Sequence, residues 1–363
     1  MSQERIDLIR SKLADWKDVD GILITNLTNC RWVSGFTGSA GHLIITQDRA
    51  LIGTDFRYWE QAAQQAPEFE LVKVGREPHM AKQEDLLKMV GVERIGFEAS
   101  HMTVIDFRLL KKKCDEIEAC SLVGLNGVIE PMRHVKTADE LDMIRKAAVI
   151  TDSAMSAVNQ LAKPGMTERA LAWQLEKHMR ENGADGMAFD IIVAAGPNGA
   201  MAHHHPSDRQ LQVGDTIIID MGAMLDGYHS DLTRTFFLGN EPDEKFKLVY
   251  DLVHTAQKNA LNNMKAGMKG QEIDALARDV IDDAGQGPNF GHSLGHGVGL
   301  NIHEGPSLSS VYKGNIPAGA VVSVEPGVYL PGWGGVRIED LVVVTTDGIE
   351  FLSHCPKTPI IPV

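Results

Sequence analysis

The segment from Thr216 to Thr235, TIIIDMGAMLDGYHSDLTRT, restricts the fold more than any other stretch of the chain. Its β-branched run into Asp220 reads as a strand, and Asp226-Gly227 is a strong two-residue hairpin signal. A turn there sets Tyr228 opposite Leu225 and Thr233 opposite Asp220. Asp231, two residues from Thr233, then shares a sheet face with Asp220 as its diagonal neighbour, roughly 7–8 Å away at the backbone. Two carboxylates on one buried face repel unless a cation or a proton intervenes. A metal ion explains the arrangement; the alternative is that one aspartate is a solvated turn residue.

A second hairpin has the same character. Val321 to Glu325 reads as a strand, Pro331-Gly332 as a turn, and Gly335 to Val342 as the return. With the turn centred near Gly332, Glu325 and Glu339 lie opposite each other on one face, and Arg337 shares the parity of Glu339. Pro326 has no amide hydrogen, so the ladder is expected to be edge-like or broken there.

Between the hairpins, the segment GHSLGHGVGLNIHE carries His292, His296 and His303. Two histidines four apart would suit a helical metal pair, but Gly291, Gly295, Gly297 and Gly299 make a helix implausible. A glycine-rich strand with close backbone approach fits better. Upstream, His203-His204-His205-Pro206 follows the loop Gly196-Pro197-Asn198-Gly199. A lone histidine is usually a satisfied surface or core residue; histidines flanked by two carboxylate hairpins read as functional. The four carboxylates together match two divalent cations. Oxygen-rich coordination with one imidazole favours Mn²⁺ or Co²⁺, with Zn²⁺ also open. Paired ions about 3.5–4 Å apart can bind hydroxide and clamp a tetrahedral intermediate.

The rest of the chain reads as α+β in two domains, residues 1–130 and 131–363. In the first, Ile6, Ile9, Leu13 and Trp16 give an amphipathic opening helix. Gly21–Ile24 and His42–Ile45 read as strands around the turn Gly35–Gly41. That turn lacks the lysine of a phosphate-binding loop and the order of a dinucleotide fingerprint, so it reads as structural. A boundary follows Asn126-Gly127 and Pro131, after which Thr137 and Glu140 form a capping box. In the second domain Lys163-Pro164-Gly165-Met166 and Lys265-Ala266-Gly267-Met268 each precede an amphipathic helix that runs into glycine (Gly183, Gly186; Gly285, Gly287). The matched order suggests a duplicated α/β unit.

Charge and hydropathy weigh against several function classes. Lys+Arg number 35 against 49 Asp+Glu, a net charge of -14, which disfavours a nucleic-acid partner. No apolar run approaches the roughly 20 residues of a membrane span, so no membrane partner is expected. Glu4, Arg5, Asp7 and Arg10 leave no apolar signal-peptide core, which implies a cytoplasmic chain. Cys30, Cys114, Cys120 and Cys355 show no CxxC spacing and read as reduced structural thiols.

The ordered set Asp220, Asp231, His296, Glu325 and Glu339 resembles the five-ligand dinuclear centre of the pita-bread metallopeptidases. The words DLTRT (231–235), HSLGHGVG (292–299), EPG (325–327) and VRIED (336–340) sharpen the match. With GFTG (35–38) and TDFRY (54–58), the first 130 residues are similar to the N-terminal half of Xaa-Pro aminopeptidases and prolidases, and the likeness spans nearly the whole chain. It implies a creatinase-like N-terminal α/β domain followed by a pita-bread catalytic domain with a pseudo-twofold α/β repeat.

The resemblance further implies that Asp220 and Asp231 hold one metal and that Asp231, His296 and Glu325 hold the other, with Glu339 bridging. Glu325 would take the proton from a bridging water. His292 and His303 would contact the scissile carbonyl and the proline side, and His203, three residues before Pro206, would contact substrate. The neighbouring His204 and His205 leave that last choice one residue from changing. Arg337 would support the carboxylates, and Tyr329 would help wall the proline pocket. The implied activity is Xaa-Pro aminopeptidase, a metal-bridged hydroxide attacking the carbonyl before proline. The alternatives are a dipeptide-restricted prolidase, a non-peptidase enzyme such as a creatinase or a lyase, and a binding module without catalysis. The substrate partner is a proline-containing peptide, and a homodimer is the family expectation.

Overall fold

The computed structural model describes residues 2–16, 19–75, 81–117 and 120–363. The chain divides into two compact units, Met1–Arg133 and His134–Val363.

The first unit contains helices α1 (Ser2–Lys12), α2 (Leu27–Ser34), α3 (Trp59–Gln65), α4 (Ala81–Val90) and α5 (Val104–Asp115). Its strands are β1 (Gly21–Ile24), β2 (His42–Thr46), β3 (Ala50–Thr54), β4 (Glu70–Lys73), β5 (Arg94–Glu98) and β6 (Ser121–Leu125). They form one sheet in the order β4-β3-β2-β1-β5-β6. The β1–β2 and β2–β3 pairs are antiparallel, while β1–β5, β5–β6 and β3–β4 are parallel, as helical crossovers require. Leu23, Ile44, Leu51, Leu86, Ile95 and Leu110 make up part of one core. Helix α1 ends at Lys12, so Leu13 is buried beyond its last turn. The Gly35–Gly41 loop is packed by the buried Phe36 ring, which a Cβ on Gly38 would meet at 2.1 Å.

The cysteine expectation needs correction. Cys114 and Cys120 are joined in a disulfide, while Cys30 and Cys355 are free and buried. The end of α5 and the approach to β6 bring the paired Cα atoms to 5.3 Å, within disulfide range, which spacing without a CxxC word did not reveal.

The second unit contains α6 (Ala138–Leu161), α7 (Glu168–Glu181), α8 (Glu244–Asn263) and α9 (Gly270–Asp283). Thr137 and Glu140 form the expected capping box on α6. Its strands run β7 (Gly186–Met187), β8 (Ile192–Ala195), β9 (Thr216–Met221), β10 (Ala223–Leu225), β11 (Tyr228–His229), β12 (Leu232–Leu238), β13 (Gly295–Gly297), β14 (Glu304–Leu308), β15 (Val321–Val324), β16 (Gly327–Leu330), β17 (Gly334–Arg337), β18 (Asp340–Val344), β19 (Ile349–Phe351) and β20 (Ile360–Ile361). The two main sheets have the orders β20-β12-β9-β8 and β14-β13-β15-β18-β19. Helices α6 and α7 share a core with β8, β9 and β12, and α8 and α9 share another with β15 and β18.

The duplicated unit is real at the level of individual hydrogen bonds. Gly165 and Gly267 take positive φ (85° and 87°) before α7 and α9. Gly165 donates to Leu211 O and Gly267 to Ile316 O; Leu211 returns a bond to Met166 O and Ile316 to Met268 O. Gly214 donates to Leu238 O and Gly319 to Val344 O. The same offset that relates Leu211 to Ile316 and Gly214 to Gly319 relates Asp220 to Glu325. No helix among the described residues is long and apolar enough to cross a membrane.

Candidate metal centre

The first carboxylate pair comes from a hairpin whose register is that expected. Leu225 pairs with Tyr228 and Asp220 with Thr233, around a turn in which Asp226 and Gly227 both have positive φ (44° and 67°). The ladder is interrupted beside Gly222, whose Cβ would sit 2.0 Å from Ser230 O, and resumes in the same register. Asp231 lies in that interruption, buried, while Asp220 is partly exposed at the end of β9.

The second pair follows the same logic. Gly327 pairs with Arg337 and Leu330 with Gly334, so the turn is centred on Gly332. Val324 pairs with Asp340 in the same register. Glu325 and Glu339 occupy the gap between these ladders, opposite each other, where Pro326 cannot donate. The break expected at Pro326 is present, and the structure divides the hairpin between two sheets at this gap.

His296 lies on β13, a strand that only glycines allow. A Cβ on Gly295 would lie 1.9 Å from Ser323 O, and one on Gly297 would lie 2.2 Å from Gly305 O. Backbone contact this close brings the His296 ring to the carboxylates, with Nε2 3.5 Å from Asp231 Oδ2 and 3.4 Å from Glu325 Oε1.

Asp220, Asp231 and Glu339 each offer an oxygen, all within 4.8 Å of one another. Burial, then repulsion from Glu339, Asp220 and Glu325, pushes Asp231 well above the usual carboxylate range. Burial and then Glu325 and Asp220 do the same to Glu339. Glu325 is pushed up to about 8, again chiefly by burial, against the opposing pull of Arg337. Burial drives the His296 pKa down to about 4, so its ring is neutral at pH 7. Its Nδ1 lies 3.1 Å from Gly297 O and takes the proton, leaving an Nε2 lone pair aimed at two carboxylate oxygens. Among the described residues, Asp220 Oδ1 and Glu339 Oε1 are buried without a hydrogen-bond partner. Carboxylates converging with an imidazole lone pair fit divalent cations, which would take the place of the protons that burial and mutual repulsion otherwise favour.

A positive arm borders the cluster. Arg337 Nη2 donates to Asp220 Oδ2 at 2.7 Å, Nη1 to Tyr329 Oη at 2.8 Å and to Ala202 O at 3.2 Å, and Nε to Thr233 Oγ1 at 3.1 Å. Thr233 Oγ1 in turn donates to Glu339 Oε2 at 2.8 Å. Tyr329 Oη also lies 2.9 Å from His292 Nε2. Burial lowers the His292 pKa to about 4 and also lowers that of His303. The His296 and His303 rings meet edge to face, 4.3 Å between centroids.

The structure brings every residue anticipated from the sequence to one cavity of about 500 Å³, lined by His203, Asp220, Asp231, His292, His296, His303, Glu325, Tyr329, Arg337 and Glu339. His204 and His205 also touch it, but the His204 ring turns to Glu168, 2.8 Å away. Sequence reasoning missed Thr233, which links Arg337 to Glu339. Its place opposite Asp220 was the available signal. It also missed Phe189 and Ile192 in the cavity wall; Ile192 pairs with Asp220 across β8 and β9.

Comparison with known proteins agrees with this geometry. Metallopeptidase family M24 matches residues 142–346, and the Creatinase/Prolidase N-terminal domain matches residues 5–135. The uncharacterized peptidase YqhT of Bacillus subtilis is 41% identical over 94% of this chain and 96% of its own. Among solved structures, the Xaa-Pro dipeptidase from Bacillus anthracis is 38% identical, covers 100% of both chains and superposes with a TM-score of 0.94. The X-Pro aminopeptidase from Thermotoga maritima is 35% identical over 99% of this chain and 100% of its own, with a TM-score of 0.88. With its pita-bread fold and a sequence alike along nearly its full length, the chain belongs to metallopeptidase family M24 and is a hydrolase.

Proposed function

We propose that the protein is an exopeptidase that cleaves the bond between an N-terminal residue and proline, using two divalent cations. The observation that carries this reading is the convergence of Asp220, Asp231, Glu325 and Glu339 with the unprotonated Nε2 of His296. Asp220 and Asp231 would hold one ion, Asp231, His296 and Glu325 the second, with Glu339 shared. Bound there, the ions supply Lewis acidity and a water activated at neutral pH. Oxygen-rich donors with a single imidazole make manganese the first candidate, with cobalt and zinc next. A homodimer, from family resemblance, and a cytoplasmic location belong to the same proposal.

The chain's own groups then divide the work. Glu325 takes the proton of the attacking water. His203, His292 and His303 contact the substrate around the scissile carbonyl and the proline ring. Arg337 donates to Asp220 and holds the Tyr329 hydroxyl against His292. Phe189, Ile192 and Tyr329 give the cavity an apolar wall suited to a ring that has no amide hydrogen and a fixed φ.

The dipeptidase reading has its own observation, since the 38% identical Bacillus anthracis structure carries that description. A metal-stripped sample reloaded with Mn²⁺ separates the two. Cleavage of Xaa-Pro-Xaa tripeptides establishes the aminopeptidase; cleavage of Xaa-Pro dipeptides alone establishes the prolidase. Cleavage of Met-Ala but of neither proline peptide would refute proline specificity and leave the metal site standing. Asp231→Asn and Glu339→Gln are expected to lose both activity and metal stoichiometry, and undiminished activity in either would sink the mechanism.

A further inference from the structure

Outside the metal cluster, Glu168 at the start of α7 is fully buried and accepts five hydrogen bonds. Oε1 takes Ala195 N at 2.8 Å and Asn198 Nδ2 at 2.9 Å. Oε2 takes Ser207 N at 2.9 Å, Ser207 Oγ at 2.6 Å and His204 Nε2 at 2.8 Å. Burial pushes its pKa up, but these donors outweigh burial and hold it below the ordinary carboxylate range. The chain from Ala195 to Ser207 is therefore a loop with both feet on one anion.

His203 sits inside that loop. It is exposed, it lines the catalytic cavity, and among the described residues no protein group hydrogen-bonds its ring. Its place is inherited from the backbone: Ala202 O is held by Arg337 on one side, and His204 is held by Glu168 on the other.

The internal repeat shows that the fold does not demand this carboxylate. Glu168 N donates to Arg209 O as Gly270 N donates to Gly314 O, so the two residues occupy equivalent helix starts. A Cβ on Gly270 would lie 2.2 Å from Ser307 O, so the second half closes the same turn with no side chain at all.

We propose that Glu168, through His204 and Ser207, is a positioning residue that holds His203 at the catalytic cavity. The kinetic part of the test rests on the Xaa-Pro reading; the spectroscopic part does not. Glu168→Gln keeps the volume but turns an amide NH₂ toward a backbone N–H of Ala195 or Ser207, two donors face to face. In the Mn²⁺-loaded protein the expected loss in kcat/KM is on the order of 10²-fold, mostly in kcat, with two ions still bound. Combined with His203→Ala, Glu168→Gln should add little to the loss caused by His203→Ala alone, because both act through one imidazole. In metal-free protein labelled at histidine Cε1, the His203 resonance should shift or broaden while that of His303 stays in place. Should Glu168→Gln fail to fold, His204→Ala cuts only the link beside His203 and is expected to give the same pattern. Losses that multiply in the double variant, or an unmoved His203 resonance, overturn the proposal. If the unsubstituted protein cleaves no proline peptide, the functional reading fails, and the resonance alone decides whether Glu168 holds His203.

Discussion

Thr233 shows how much one hydroxyl does in this cavity. It donates to Glu339 Oε2 and accepts from Arg337 Nε, so Thr233→Val leaves a buried carboxylate and a buried guanidinium each one partner short. We expect Mn²⁺ affinity to fall about 10–100-fold, as it does when outer partners of metal ligands are removed, measured by calorimetric titration. The carboxylates themselves set a pH dependence of stability. Glu325 moves from its ordinary 4.5 up to about 8 in the folded, metal-free protein, and Asp231 and Glu339 move in the same direction. Native protein then binds more protons than unfolded protein across that window, so stability falls as pH rises through it. Urea midpoints of metal-free protein should drop from about pH 5 to about pH 8, and added Mn²⁺ should remove most of the drop while releasing protons. A flat metal-free profile would contradict the assignment of buried, mutually repelling carboxylates.

At the scale of elements, the two hairpins and β13 do the positioning. Gly295→Ala would force a Cβ onto Ser323 O, which overpacks the sheet by about 1–3 kcal/mol or more and displaces the adjacent His296. Denaturant unfolding and metal titration should both report the change; a protein unaffected in both would mean the strand can yield. These elements were legible because their signals are local. Asp226-Gly227 and Gly332 mark turns that fix register, and register alone places Asp220 with Asp231 and Glu325 with Glu339. Pro326 marks the gap in the ladder for the same reason. What stayed hidden depends mostly on pairs far apart in sequence: the Arg337 arm to Asp220, the Thr233 bridge and the turn of His204 toward Glu168; the Cys114–Cys120 bond is local but carries no recognisable spacing word. No spacing rule addresses such contacts, because they are set by tertiary packing and not by the local chain.

For the whole molecule, all the residues around the cavity belong to the unit His134–Val363. Added Mn²⁺ should therefore raise hydrogen-exchange protection around Asp220–Thr233, His292–His303 and Glu325–Glu339, with the largest gains in those three segments. At a hundredfold excess over the dissociation constant the stabilisation should reach about 2.7 kcal/mol per site. Equal protection along the entire chain would argue for a binding event elsewhere.

The offset that Asp220 and Glu325 share with Gly214 and Gly319 has a historical consequence. If one half once existed as a separate polypeptide, two copies meeting about the same axis would have set a carboxylate hairpin against its twin, and a pair of cations would have welded them together. Fusion of the two genes would then have freed each copy to diverge, one gaining His296 and the other the loop of His203. The asymmetry of the present cavity is what descent from a symmetric ancestor would leave behind.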